Sequence, residues 1–176
     1  TNPDPMNTMP ALTELATALL SDPQKLMESS QKYWEAQGQI WQRSMMKMMG
    51  GGDAADDAEM PDLPAEGKRF KHDDWSENAV FEYIKQSYLL TSDWVQNTVH
   101  DADLSPKDRK KTEFYARNFV EAMSPTNFAA LNPEVLEATS EEKGQNLVRG
   151  LKMMLEDMQR GKGKLLIRQT DMDAFE

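Results

Sequence analysis

Few side chains in this sequence have the types and spacing that catalysis or metal binding requires. There is no cysteine, so thiol nucleophiles, thiolate metal sites and disulfides are all absent. The two histidines, His72 and His100, lie 28 residues apart, and neither has a second metal ligand at a characteristic spacing. Asp73, Asp74 and Asp101 lie near them, but acidic groups at helix N-termini are favoured by the helix dipole alone. We therefore expect no metal site and no cofactor site.

Paired carboxylates are the other candidates for chemistry. The pairs are Glu141 with Glu142, Glu156 with Asp157, and Asp171 with Asp173. General acid–base catalysis needs a carboxylate in a dry pocket that shifts its pKa, and nothing in the sequence indicates such a pocket. Nucleophile-elbow, P-loop, dinucleotide-binding and H-E-x-x-H motifs are also absent. Solvated helix faces explain these acidic pairs, so we expect no catalytic residue and a chain that works by binding.

Charge narrows the class of partner. The chain carries 30 acidic and 20 basic residues, a net charge of -10, and nucleic-acid phosphates attract net-basic proteins instead. Residues 1–66 hold eleven acidic and four basic residues, so the N-terminal third is the more acidic part. No secretory signal is present, and no apolar run approaches the roughly 20 residues that span a bilayer. We expect a cytoplasmic protein with no nucleic-acid partner and no membrane span.

Proline and glycine divide the N-terminal part of the chain. A short helix is expected over 11–20. Asp22 and Pro23 then form a helix start, because Asp caps free amides and Pro suits the first helical position. Three glycines from Gly50 end this long amphipathic helix, which is predicted over 22–49. The acidic stretch 50–67 reads as a flexible linker. The expected domains are thus an acidic leader, 1–67, and a helical domain, 68–176.

Helix signals continue through the second half and predict an all-α, multi-helix domain. Ser76 and Ser105 precede apolar residues at helical spacing, which favours helices over 77–99 and from Pro106 to the break at Ser124. A short helix is expected over 133–138, and Ser140 is expected to start the last long helix, which ends near Gly161.

Near the C-terminus, Leu165–Ile167 is one short strand-like segment. Thr170 with Asp173 is typical of a further helix start. A lone strand needs partners, so we expect more chain to follow, with a sheet that this segment joins.

The predicted helix 22–49 carries a broad apolar stripe. Its partner- or granule-binding candidates are Leu26, Tyr33, Trp34, Ile40, Trp41, Met45 and Met48. Positions 26, 33 and 40, and again 34, 41 and 48, are seven residues apart, a spacing that suits helix pairing. Exposing so many large side chains disfavours solubility, which leaves three coverings open: the second half of this chain, a copy or a partner helix, or an apolar surface such as a lipid or polymer.

Three long stretches carry a family resemblance. They are FKHDDWSENAVFEYIKQSYLLTSDWVQ, FYARNFVEAMSPTNFAALNPEVLEAT and GQNLVRGLKMMLEDMQRGKGKLLIRQTDMDAFE. In this order, from about Arg69 to Glu176, the chain resembles the N-terminal domain of class I polyhydroxyalkanoate synthases. That family polymerises (R)-3-hydroxyacyl-coenzyme A into polyester with a Cys–His–Asp arrangement on an α/β-hydrolase domain. The cysteine-free chain has no position for these residues.

The resemblance implies a helical domain with several partners. It implies packing against the catalytic domain of the same synthase, a homodimer, and attachment to polyester granules or their phasin coat proteins, hence a granule-associated location. The alternative is a stand-alone phasin-like granule-coat protein.

Seven aromatic residues are expected in the core or at a domain interface: Trp75, Phe81, Tyr88, Trp94, Phe114, Phe119 and Phe128.

Overall fold

A computed structural model describes residues 9–160 of the chain. The chain divides into two compact units, Thr1–Pro133 and Glu134–Glu176. Within residues 9–160 there are eight α-helices and no strand, so the all-α prediction is confirmed. The strand-like segment Leu165–Ile167 and the predicted helix from Thr170 lie outside the described residues.

In chain order, the helices are α1 (Met9–Ser21), α2 (Pro23–Met48), α3 (Gly52–Asp56), α4 (Asp74–Glu77), α5 (Ala79–His100), α6 (Pro106–Ala122), α7 (Pro133–Glu141) and α8 (Gln145–Arg160), with a 3-10 turn at Pro125–Asn127 between α6 and α7. Most helices follow one another with short connections, whereas the 17 residues 57–73 separate α3 from α4. In the first unit α5 is central, because α2, α4 and α6 all pack against it.

The long helix α2 begins and ends where the sequence predicts. The Asp22 carboxylate accepts a hydrogen bond from the Lys25 amide at 3.1 Å, and Pro23 occupies the first helical position. Capping of this kind contributes about 1 kcal/mol. At 26 residues the helix is roughly 39 Å long, which lets a single element contact most of the length of α5.

The acidic stretch 50–67 is partly folded onto α2. It contains α3, whose Ala55 is fully buried and whose Asp56 carboxylate accepts a hydrogen bond from Arg43 at 3.2 Å. The turn before it needs Gly51, because a Cβ there would lie 2.8 Å from the Met46 carbonyl oxygen. The predicted division into a leader and a domain between residues 67 and 68 stays a prediction. The boundary between the two compact units lies after Pro133.

A cluster of aromatic residues forms the centre of the first unit. Trp75 is almost completely buried, and its ring lies edge-on to Phe70 with centroids 5.0 Å apart. The cluster is completed by Leu89, with Phe81, Ile84 and Tyr88 packed against it. Since edge-to-face aromatic pairs add about 0.5–1.5 kcal/mol to simple burial, this cluster holds the segment before α4 against α5.

Two predicted helix starts are wrong in detail. Helix α5 is capped by Asn78 rather than Ser76, because the Asn78 side chain accepts from the Val80 amide at 3.0 Å. Ser140 lies inside α7, and α8 starts only at Gln145. Between them Lys143 and Gly144 have left-handed φ values of 51° and 82°, and the Gly144 amide donates to the Thr139 carbonyl at 2.8 Å. This bond closes α7 as a C-cap, so the Ser–Glu–Glu start signal is overridden.

Candidate functional site

The inner face of α2 packs on α5. The Tyr33 hydroxyl lies 3.0 Å from Thr91 Oγ1, and the Tyr33 ring centroid lies 5.1 Å from that of Trp94. The Trp94 indole N–H donates to Ser29 Oγ at 2.9 Å, and Ile40 is 0% exposed. Of the three coverings left open by the sequence, the second half of the same chain is therefore the one that covers this face.

A charged network closes the same interface at the C-terminal end of α2. Lys47 Nζ donates to Glu82 Oε2 at 2.6 Å, and an Arg43 nitrogen lies 3.6 Å from Glu82 Oε1. Near the middle of α2, the Gln37 side-chain amide donates hydrogen bonds to the Tyr83 and Ser87 hydroxyl oxygens at 3.1 and 2.9 Å. These bonds satisfy some of the polar groups that packing removes from water, although Gln37 Oε1 and Arg43 Nε are buried without a hydrogen-bond partner. The bonds set the register of α2 against α5.

The outer face of α2 carries large apolar side chains that remain in water. We define the outer stripe as Met27, Trp34, Trp41, Met45 and Met48, all of which are exposed. Trp34 is 68% exposed and Trp41 55% exposed. Exposed tryptophans next to exposed methionines are typical of interaction surfaces, because both side chains are large and adapt to a partner.

The seven predicted binding residues thus divide between two faces. Leu26, Tyr33 and Ile40 lie on the α5 side, half-buried or buried, whereas Trp34, Trp41, Met45 and Met48 are exposed. Two heptad rows offset by one residue are rotated by about 100° on a helix, so only one row can face α5. Binding by the four exposed residues stays a prediction.

An apolar cleft lies between α1, α5 and α6. Its volume is about 340 Å³, and it is lined by Leu12, Leu15, Val95, Val99, Thr112, Tyr115, Ala116 and Phe119. The Thr112 hydroxyl is buried there without a hydrogen-bond partner, and Phe119 is exposed at the site. The cleft suits an apolar side chain rather than acid–base chemistry. Spacing within α1 and α6 did not reveal it, because it is formed by three separate helices.

Helix α8, in the second unit, is strongly amphipathic. Its large apolar side chains are all exposed: Leu147, Val148, Leu151, Met153, Met154, Leu155 and Met158. Polar residues occupy the other side, where Arg149 pairs with Glu142, the residue after α7. A helix with so wide an apolar face is stable in water only when that face is covered. Together with the outer stripe, the α8 face is the main surface available for binding.

The histidines are not brought together as a site. The Asp74 amide donates to His72 Nδ1 at 3.2 Å, and His100 Nδ1 lies 3.0 Å from Glu113 Oε1. Among residues 9–160 no group of three or more His, Asp or Glu side chains has the arrangement to hold a metal ion. In the same range, no helix is both long and apolar enough to cross a membrane.

Two surface carboxyl groups, Glu14 and Asp108, form a pair with shifted pKa values. The pKa of Glu14 is raised, first by the hydrogen bond between Glu14 and Asp108 and then by the charge of Asp108. The hydrogen bond from Ser105 is the main cause that lowers the pKa of Asp108. This pair joins α1 to the first turn of α6 on the surface, without the dry pocket that acid–base catalysis requires.

Comparisons with known proteins point to one family. Residues 66–176 match the family described as Poly-beta-hydroxybutyrate polymerase (PhaC) N-terminus. The chain is 42% identical over 165 residues to a Poly(3-hydroxyalkanoate) polymerase of Methylorubrum extorquens, covering 93% of this chain and 27% of that protein. It is also 38% and 32% identical to Poly(3-hydroxyalkanoate) polymerase subunits PhaC of Rhizobium etli and Cupriavidus necator, covering 98% and 96% of this chain.

The match is confined to one part of these relatives. The chain spans 28% of the Rhizobium etli protein and 26% of the Cupriavidus necator protein, at the N-terminal end. No solved structure matches the chain.

Proposed function

The chain belongs to the family of poly-beta-hydroxybutyrate polymerase N-termini, and from this premise we propose that it is the non-catalytic N-terminal domain of a class I polyhydroxyalkanoate synthase. The whole enzyme would polymerise (R)-3-hydroxyacyl-coenzyme A into polyester. The 176 residues contain no cysteine, so the Cys–His–Asp arrangement of such synthases has no position in them. The role that remains for these residues is binding.

The exposed apolar face of α8 is the observation that carries this proposal. Leu151 and Leu155 lie one turn apart on that face, and both are exposed. Burying one leucine side chain contributes about 1.5–3 kcal/mol, so covering the whole face is strongly favourable. In the relatives about three quarters of the chain lies outside the match. We assign the α8 face to that remaining part, the catalytic domain, which it would stabilise.

The outer stripe of α2 is assigned to dimerisation and to granule or phasin binding. Trp34 and Trp41 are too exposed to contribute much to the fold of the first unit. The polar residues beside them include Glu28 and Glu35, both acidic. Binding to an anionic lipid surface favours Lys and Arg on the polar face, whereas an uncharged polyester surface or another helix has no such requirement. Granule association in the cytoplasm follows as part of this proposal.

Association of separately produced parts tests the proposal. The 176-residue chain and the remaining C-terminal part of the Methylorubrum extorquens relative are mixed, and binding is measured by isothermal titration calorimetry. We expect binding, a gain in polymerase activity, and loss of both with Leu151→Gln and Leu155→Gln. Lys152→Gln, on the polar side of α8, is the matched control.

Other outcomes point elsewhere. If the chain bound polyester granules but not the catalytic part, a phasin-like coat protein would replace the synthase domain as the better assignment. Turnover of 3-hydroxybutyryl-coenzyme A by the chain alone would refute the non-catalytic role.

A further inference from the structure

The outer stripe has a symmetric order. Met27, Trp34, Trp41 and Met48 are spaced by seven residues each, so the row reads Met–Trp–Trp–Met from either end. Its midpoint falls between positions 37 and 38. When two such rows are laid antiparallel about this midpoint, Trp34 of each copy lies opposite Trp41 of the other, and Met27 lies opposite Met48.

A glycine lies at the midpoint. A Cβ added at Gly38 would meet nothing within 4 Å, so packing inside this chain does not require glycine there. Glycine in the middle of a helix reduces helix stability relative to alanine. Between two exposed tryptophans, however, it leaves a notch in the helix surface, and such a notch allows close approach of a second backbone or entry of a large side chain.

We propose that a second copy of this chain covers the outer stripe, with the two α2 helices antiparallel about a two-fold axis near Gly38. A two-fold interface uses the same patch on both subunits, which must therefore be self-complementary, and the Met–Trp–Trp–Met order meets that condition. The inference rests on the proposed dimerisation and identifies its surface.

Charge on the flank of the stripe agrees with this pairing. In an antiparallel pair, the residues on one side of the Met–Trp–Trp–Met row face the residues on the same side of the row in the second copy. Glu35 and Gln42 lie on one such side, so Glu35 lies near Gln42 of the second copy. An amide N–H can donate to a carboxylate, and such charge-assisted bonds are stronger than neutral ones. Two cations of α2, Arg43 and Lys47, are already paired with Glu82 and Asp56 within the same chain.

The available area indicates a weak dimer. Full burial of an aromatic side chain removes about 150–250 Å² from water, so Trp34 and Trp41 leave roughly 250 Å² for a partner to cover. With the methionines, the stripe offers roughly 500 Å² per copy, against about 800 Å² per partner in a standard interface. We therefore expect a weak dimer whose population rises with protein concentration.

Single-cysteine cross-linking tests the orientation, because the chain has no cysteine of its own. Met27→Cys and Met48→Cys chains are treated with a short bismaleimide, first separately and then mixed. Positions 27 and 48 are about 31 Å apart along one helix, so an antiparallel pair cross-links only in the mixture, and Gly38→Cys cross-links alone. In a parallel pair, Met27→Cys chains would cross-link with one another and not with Met48→Cys chains, and this result would overturn the proposal.

Sedimentation velocity across a concentration series tests the surface. Trp34→Gln with Trp41→Gln should raise the dissociation constant by at least about tenfold, because each substitution acts twice in a symmetric interface. Gly38→Leu should also weaken the dimer by filling the notch, yet leave the thermal midpoint unchanged or higher. Phe114→Gln, an equally exposed aromatic position on α6, should leave the dimer unchanged.

The outcomes separate this inference from the proposed function. A chain that stays monomeric up to millimolar concentration yet binds the catalytic part would overturn the α2 pairing and leave the synthase-domain assignment intact. If that monomer bound polyester particles through Trp34 and Trp41, the polymer surface would be the occupant of the stripe. Dimerisation without binding to the catalytic part would support the pairing and remove the proposed docking role.

Discussion

Lys47 of α2 and Glu82 of α5 form an ion pair across the interface between the two helices, with Nζ and Oε2 2.6 Å apart. It is the shortest of the polar contacts between α2 and α5 described above. The Glu82 side chain is 8% exposed, and Arg43 lies 3.6 Å from its other oxygen. A carboxylate so far removed from water requires cationic partners. The link therefore makes the position of α2 part of the fold of the first unit.

Replacing Glu82 by Ala should lower the free energy of unfolding by about 2 kcal/mol, because the change leaves the half-buried Lys47 and Arg43 with only the exposed Asp56 carboxylate as an anion. Urea denaturation followed by circular dichroism measures the loss. Glu28→Ala, an exposed glutamate on α2, is the control and should change stability by less than about 0.5 kcal/mol. Equal losses for the two variants would show that the network contributes nothing specific.

Adjacent positions on α2 should respond very differently to truncation. Ile40 is fully buried and Trp41 is 55% exposed. We expect Ile40→Ala to cost about 2–5 kcal/mol through lost burial and a cavity, whereas Trp41→Ala, although it removes more atoms, should cost less than about 1 kcal/mol. Thermal and urea unfolding of the two variants checks this order. A larger loss at Trp41 would mean that the outer stripe is core in solution.

The carboxyl pair between α1 and α6 should give a measurable pH dependence. The hydrogen bond to Asp108 raises the pKa of Glu14, so this contribution to stability is present below the ordinary Glu pKa and is lost as pH rises through the raised value. Glu14→Gln should therefore increase the midpoint of thermal unfolding near neutral pH but not in acid below the ordinary Glu pKa. Scanning calorimetry at several pH values tests this, with exposed Glu35→Gln as the control.

The N-cap of α6 should contribute in the usual range. Ser105 Oγ accepts from the Asp108 amide at 3.2 Å, and Ser105→Ala should reduce stability by about 1 kcal/mol. It should also raise the pKa of Asp108, since the Ser105 hydrogen bond is the main cause of its lowered value. NMR titration of the Asp108 carboxyl carbon measures that shift. Ser105→Asp should restore the cap, and failure to do so would contradict a capping role.

The predicted helices and the observed ones agree best where local chemistry decides. Asp22–Pro23 and Ser105–Pro106 start α2 and α6 as predicted, because a cap and a proline act within one turn of the chain. The predicted helix start at Ser140 was wrong. Helix α7 continues past Ser140, and the left-handed Lys143 and Gly144 separate it from α8. The cap at Asn78 instead of Ser76 has the same origin, since two polar residues compete within one turn.

The aromatic residues show where local reasoning ends. Trp75, Phe81 and Tyr88 lie in the central cluster, but Phe114, Phe119 and Phe128 are exposed. An interface role for these three stays a prediction. Side-chain type alone indicates that an aromatic residue needs a partner, without indicating whether the partner lies in the same unit.

By itself the sequence determined that this chain is helical, that it lacks a cysteine nucleophile, and that α2 carries two apolar rows seven residues apart in each row. Only the tertiary structure decided which row is core. The rows at 26, 33 and 40 and at 34, 41 and 48 are equivalent in hydrophobicity and differ by one residue, or about 100° of helix rotation. Contacts with α5, where Thr91 and Trp94 meet Tyr33, select the first row and leave Trp34 and Trp41 in water. That selection depends on residues about 60 positions away in the sequence, which is why no pattern within α2 could reveal it.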